Sequence, residues 1–103
     1  DSLPPPRAWA DRNPEADARL KAARAAVEAR AEELGMPTEN LLTPDTLRRV
    51  AWEPPTEIDA ASIGGALAAR EARAWQIEET AQRIADAFVE AAQTPDEASG
   101  PAS

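Results

Sequence analysis

The sequence predicts an all-α fold, a compact helical bundle of four to five short helices. Three observations carry this. Large apolar residues and alanines recur at spacings of three and four over the long stretches, and no strand-like alternation interrupts them. Helix start and stop signals bracket those stretches, with proline at first positions and glycine or proline just past the ends. Much of the 43% hydrophobic fraction is alanine, so the helices must approach closely around a thin core. At 103 residues there is room for one domain.

Taken in order, residues 1–8 read as a Pro-rich linker. Pro4, Pro5 and Pro6 favour extended polyproline II, a semi-rigid spacer. A start at Asp1 followed by this run leads us to expect a neighbouring domain upstream. The first helix opens on Asn13 as cap and Pro14 at the first position, with Glu15 and Asp17 at the positive end of the dipole. Leu20, Ala23, Val27, Ala31 and Leu34 form its apolar stripe, and Gly35 and Pro37 stop it. The second, about 44–52, repeats this grammar. Thr43 caps, Pro44 opens, Leu42 and Leu47 stand as a hydrophobic staple, and Glu53-Pro54-Pro55 ends it.

A third helix begins near Thr56 or Asp59 and carries Ile58, Ile63 and Leu67. Gly64 and Gly65 cost about 1 kcal/mol each against alanine inside a helix, so both are expected to permit close helix approach. A fourth runs to about Ala92 on Ile77, Ala81, Ile84 and Phe88, with Trp75, Ala85 and Val89 beside the stripe. From Ala66 to Ala74 no residue breaks a helix, and propensity alone would fuse the two. The helical domain therefore spans 9–92, and 93–103, rich in Pro, Ser, Gly and acids, reads as a disordered tail.

Composition excludes several functions. There is no Cys and no His, which removes disulfide frameworks, zinc fingers, thiol nucleophiles and the usual near-neutral base. No run approaches the roughly 18 apolar residues of a membrane span, and no signal-peptide pattern leads the chain. The expectation is a cytoplasmic protein without a membrane partner. The formal charge is −8, which opposes strong phosphate binding while leaving room for a local basic patch.

Candidate chemistry is sparse. The acids Glu28, Glu32, Glu33, Glu78, Glu79, Asp86 and Glu90 stand on polar faces near arginine, as in Glu79 with Arg83 and Arg83 with Asp86. They read as solvated ion pairs rather than as metal ligands. Trp9, Trp52 and Trp75 are expected to pack in the core or against another domain, although each is also able to stack on a base. Ten of the eleven basic residues are arginine, the residue suited to bidentate phosphate contact. Arg48 and Arg49 end the second helix, and Arg70 and Arg73 flank the suspected turn. If these ends meet, the four make a nucleic-acid-binding patch. The competing expectation is dipole compensation at helix C-termini with surface salt bridges.

The order of features resembles the helicase-and-RNase-D C-terminal (HRDC) domain. The resemblance covers about 9–92 and rests on hydrophobic spacing and turn residues. Leu20 and Arg24 fit its first helix, Gly35-Met36-Pro37 with Leu41-Leu42 its loop, and Thr43 to Ala51 with Pro54-Pro55-Thr56 its short helix and turn. The stretches Leu41 to Val50 and Ala72 to Glu78 are the most family-like, the latter resembling bacterial ribonuclease D. Where that family commonly has a glycine between its last helices, this chain has Glu71, and the resemblance places a turn there. It implies a non-catalytic accessory domain of a ribonuclease D-like 3′–5′ exonuclease. Such a domain would bind RNA or other nucleic acid weakly, or pack on the catalytic domain of the same chain. The catalytic carboxylates and their divalent metal would then lie in the parent's catalytic domain. The alternative is a protein-interaction or scaffolding module without nucleic-acid binding. A third reading, an independent enzyme, is poorly supported: no nucleophile–base pair, metal cluster or phosphate loop is visible.

Overall fold

The computed structural model describes residues 3–93. The fold is all-α, with no strand among the described residues. A 3₁₀ turn at Pro6–Ala8 leads into α1 (Trp9–Arg12). Then come α2 (Pro14–Leu34), α3 (Thr38–Leu41), α4 (Pro44–Trp52), α5 (Ala60–Ala69) and α6 (Ala74–Gln93). The long pair α2 and α6 forms the spine; α5 packs on α6, and α4 on α2. The radius of gyration, 13.4 Å, is that of a well-packed chain of this size, about 13 Å.

The helix ends follow the sequence signals closely. The Asn13 Oδ1 accepts from the Ala16 amide at 3.1 Å with Pro14 behind it. At the other end of α2, Gly35 takes the left-handed conformation with φ 72°. The Gly35 amide donates to Glu32 O and the Met36 amide to Ala31 O, the paired bonds of a Schellman stop. Asp59, rather than Thr56, opens α5, accepting from the Ser62 amide at 2.8 Å. Thr43 departs from expectation: its side chain makes no capping bond. Pro44 and the burial of Leu42 and Leu47 fix the start of α4 instead. The other end of α4 is held from outside, where Arg19 Nε donates to Ala51 O at 2.8 Å. Burial of this guanidinium lowers its pKa against an opposing pull from Glu15.

The core joins Leu20, Val27, Leu41, Ile63, Leu67, Ile84 and Phe88, all nearly inaccessible, with alanines between them. The two glycines of α5 part company. A Cβ at Gly64 would lie 3.2 Å from Ile77 Cγ2, so this glycine does permit close approach to α6. A Cβ at Gly65 would meet nothing within 4 Å, so the expectation for Gly65 is corrected.

Further corrections concern the leader and α6. The polyproline II spacer expected over 1–8 gives way at Pro6 to the 3₁₀ turn. The cause is Trp9. Its ring is fully buried, its Nε1 donates to Pro4 O at 2.8 Å, and it lies 4.8 Å from the Trp52 ring at 57°. That anchor draws Leu3 onto the core. On α6, Trp75 and Val89 were expected beside the apolar stripe, yet they are 43% and 40% exposed. Trp75 stands two residues before Ile77, about 200° around the helix from it. The expected pairs Glu79–Arg83 and Arg83–Asp86 do not form. Glu79 instead bridges to Arg30 of α2 at 2.8 Å, Arg83 donates to the Glu79 carbonyl, and Asp86 accepts from Gln82. A cross-helix partner was in reach, and it displaced the local one. The tail expected over 93–103 lies, from Thr94 on, outside the described residues; Gln93 still belongs to α6. No helix among the described residues is long and apolar enough to cross a membrane.

Candidate nucleic-acid interface

The four arginines of the expected patch fall into two unlike pairs. Arg48 and Arg49 lie in the second half of α4 and both turn back onto Asp45. Arg49 Nε sits 2.8 Å from one carboxylate oxygen and Arg48 Nη2 3.3 Å from the other. The hydrogen bond from Arg49, then the charges of both arginines, hold the Asp45 carboxyl below the usual carboxylate range. This pair is in large part neutralised within its own helix. For α4 the dipole-and-salt-bridge reading therefore describes the geometry well. Arg48 also borders a groove of about 320 Å³ between α2, α3 and α4. Its lining joins the buried Leu20, Val27, Leu42 and Leu47 to two cations, Arg24 and Arg48, and two anions, Glu28 and Glu39. These charges balance, so the groove has no net preference for an anion.

Arg70 and Arg73 are different. They stand at the corner between α5 and α6, both exposed, and no side-chain ion pair or hydrogen bond engages either one among the described residues. The corner itself is rigidly made. The Glu71 amide donates to Ala68 O at 2.9 Å and the Ala72 amide to Leu67 O at 3.1 Å. This is the same Schellman stop as at Gly35, and it fixes the turn expected at Glu71. Glu71 occupies its left-handed position with φ 72°, the one non-glycine residue of positive φ among the described residues. Arg73 then precedes α6: its amide donates to Gln76 Oε1 at 2.7 Å, and its carbonyl accepts from Ile77. Gln76 Nε2 also donates to Asn40 O at 3.3 Å, tying the corner to α3.

Two features of this corner are not explained by helix stability. Arg70 suits the negative end of α5, but Arg73 sits at the positive end of α6, where a cation is unfavourable. Trp75 follows within two residues and is 43% exposed, whereas Trp9 is buried and Trp52 is half-buried against it. Sequence reasoning placed Trp75 beside the core; the wheel position opposite Ile77 was the signal against it. Among the described residues no three acidic side chains converge to hold a metal ion.

The family described as the 3′ to 5′ exonuclease C-terminal domain matches residues 2–88. No curated relative and no solved structure matches the chain. With a match spanning the leader, the Schellman corner and most of α6, this chain belongs to the 3′ to 5′ exonuclease C-terminal domain family.

Proposed function

We propose that this chain is the non-catalytic, HRDC-like accessory domain of a ribonuclease D-like 3′–5′ exoribonuclease of the cytoplasm, and that it helps to hold RNA. The observation that carries the reading is the α5–α6 corner: two exposed guanidinium groups without an internal partner, in an otherwise acidic chain of an exonuclease-associated family. The work of cutting would belong to the parent's catalytic domain, whose carboxylates would bind the divalent metal. Contact with phosphates at only a few points makes the affinity weak and strongly salt-dependent.

The test is fluorescence anisotropy of a labelled RNA hairpin with a single-stranded 3′ end, titrated with the chain at low and moderate salt. The expected result is binding that fades with salt and is lost when Arg48, Arg49, Arg70 and Arg73 are changed to Ala. Absence of binding at low salt would refute the RNA role. The net charge of −8 favours a second reading, a scaffold that contacts only the catalytic domain of its own chain, and that result would leave the scaffold standing.

A further inference from the structure

The same corner carries a more specific assignment, which rests on the nucleic-acid reading above. Three tryptophans are present, and the fold uses two of them: Trp9 is fully buried and Trp52 packs on it at 4.8 Å. Trp75 takes no part in that pair. It stands in the first turn of α6 with 43% of its surface in water, two residues from Arg73 and five from Arg70. A partly exposed indole within a few residues of two unpartnered guanidinium groups is a combination of π-face and positive charge. The two guanidinium groups offer an anionic partner donors that an apolar peptide would leave unused. The ring selects a partner with flat faces to offer.

We infer that the α5–α6 corner binds unpaired bases of a single strand, with Trp75 as the stacking platform and Arg70 and Arg73 on the flanking phosphates. In a duplex the base faces are already covered by their neighbours. An exposed ring on a short, rigid corner gains nothing there beyond what the arginines provide. Unpaired bases leave their faces open, and stacking on an aromatic ring is available to each of them. The groups that oppose binding are the exposed Glu71, between the two arginines, and the exposed Glu78, one turn into α6. They limit affinity without blocking the ring.

The probes are a labelled oligouridylate of about ten nucleotides, within the usual site size for such platforms, and a blunt RNA duplex of the same length. Each is titrated with the 103-residue chain and with W75A, W75F and the double variant R70A/R73A, after circular dichroism shows each variant folded. The expected result is preference for the single strand. W75A should weaken it about 5- to 150-fold, the effect of losing one stacked base, with W75F restoring most of the loss. R70A/R73A should flatten the dependence of log K on log salt by about 1.4 for two single-strand phosphate contacts. Equal binding of duplex and single strand, or no effect of W75A, would overturn the stacking site and leave the nucleic-acid reading in place. Failure to bind either probe at low salt would overturn both.

Discussion

Two helices of this domain end in the same hydrogen-bonded stop with the same φ of 72°, one on Gly35 and the other on Glu71. The pair offers a controlled measurement. A residue with a Cβ in the left-handed region costs about 1–2 kcal/mol. Replacing Glu71 by Gly removes that cost but gives the unfolded chain more freedom, an opposing term of about 0.5–1 kcal/mol. The net gain for E71G is then about 0.5–1 kcal/mol, or about 2–8 °C in Tm for a domain of this size. G35A should lose about the same amount. Its new Cβ meets nothing within 4 Å, so the loss is purely one of backbone conformation. Thermal unfolding followed by circular dichroism reads both. E71A is the control: it removes the carboxylate but keeps a Cβ in the strained position, so it should leave Tm nearly unchanged. If E71A stabilised as much as E71G, the benefit would come from charge, and the conformational reasoning would be wrong.

Other expectations follow from the helix contacts. G65A should stabilise by about 0.5–1 kcal/mol, since Gly65 faces open space in a helix interior, while G64A should gain nothing because its Cβ presses on Ile77 at 3.2 Å; denaturant midpoints of the two variants decide this. R19A removes the donor from the Ala51 carbonyl and should cost about 1.5 kcal/mol, seen as a lower urea midpoint with an unchanged slope. Asp45, held low by Arg49, and Asp59, held low by the Ser62 amide, both have folded pKa values below the unfolded one. Their contribution is therefore complete above about pH 4 and disappears as pH falls through the folded values. D59N keeps a capping oxygen but cannot titrate, so its Tm should fall less steeply with acid than that of the natural chain; parallel curves would contradict this.

What the sequence made legible was the set of decisions taken locally. Asn13-Pro14, Gly35 and Asp59 each act within one turn of themselves; the first two stand where they were read, and Asp59 is one of the two starts read for its helix. The stripes on the helices now numbered α2 and α6 were legible for the same reason: periodicity is a property of one helix. The errors arose where a distant partner won. Glu79 crosses to Arg30 rather than pairing with Arg83, and the Pro-rich leader folds because Trp9 finds a pocket beside Trp52. The short α3, unread in the sequence, is likewise stabilised by burial of Leu41 more than by the helix propensity of a single turn. For the candidate site, sequence pointed to four arginines, but only the folded chain distinguishes the pair tied to Asp45 from the pair left unpartnered.

The α5–α6 corner concentrates the departures from locally favourable choices: a Cβ at positive φ, an exposed indole, and a cation before a helix N-terminus. Departures of this kind persist where another requirement opposes stability, and Arg73 gives a way to test that here. Gln76 already accepts from the Arg73 amide at 2.7 Å, which is half of a capping box. R73S would supply the other half, a side-chain oxygen for the Gln76 amide, and would remove the unfavourable charge. Stability should rise by about 1 kcal/mol, about 4–8 °C in Tm. If the corner holds a strand, the same change must also weaken binding of the oligouridylate and reduce its salt dependence by about 0.7, one phosphate contact. A variant that is more stable and binds less well is the signature of a residue kept for its ligand. A variant that is more stable and binds as before would mean that Arg73 has no part in the site.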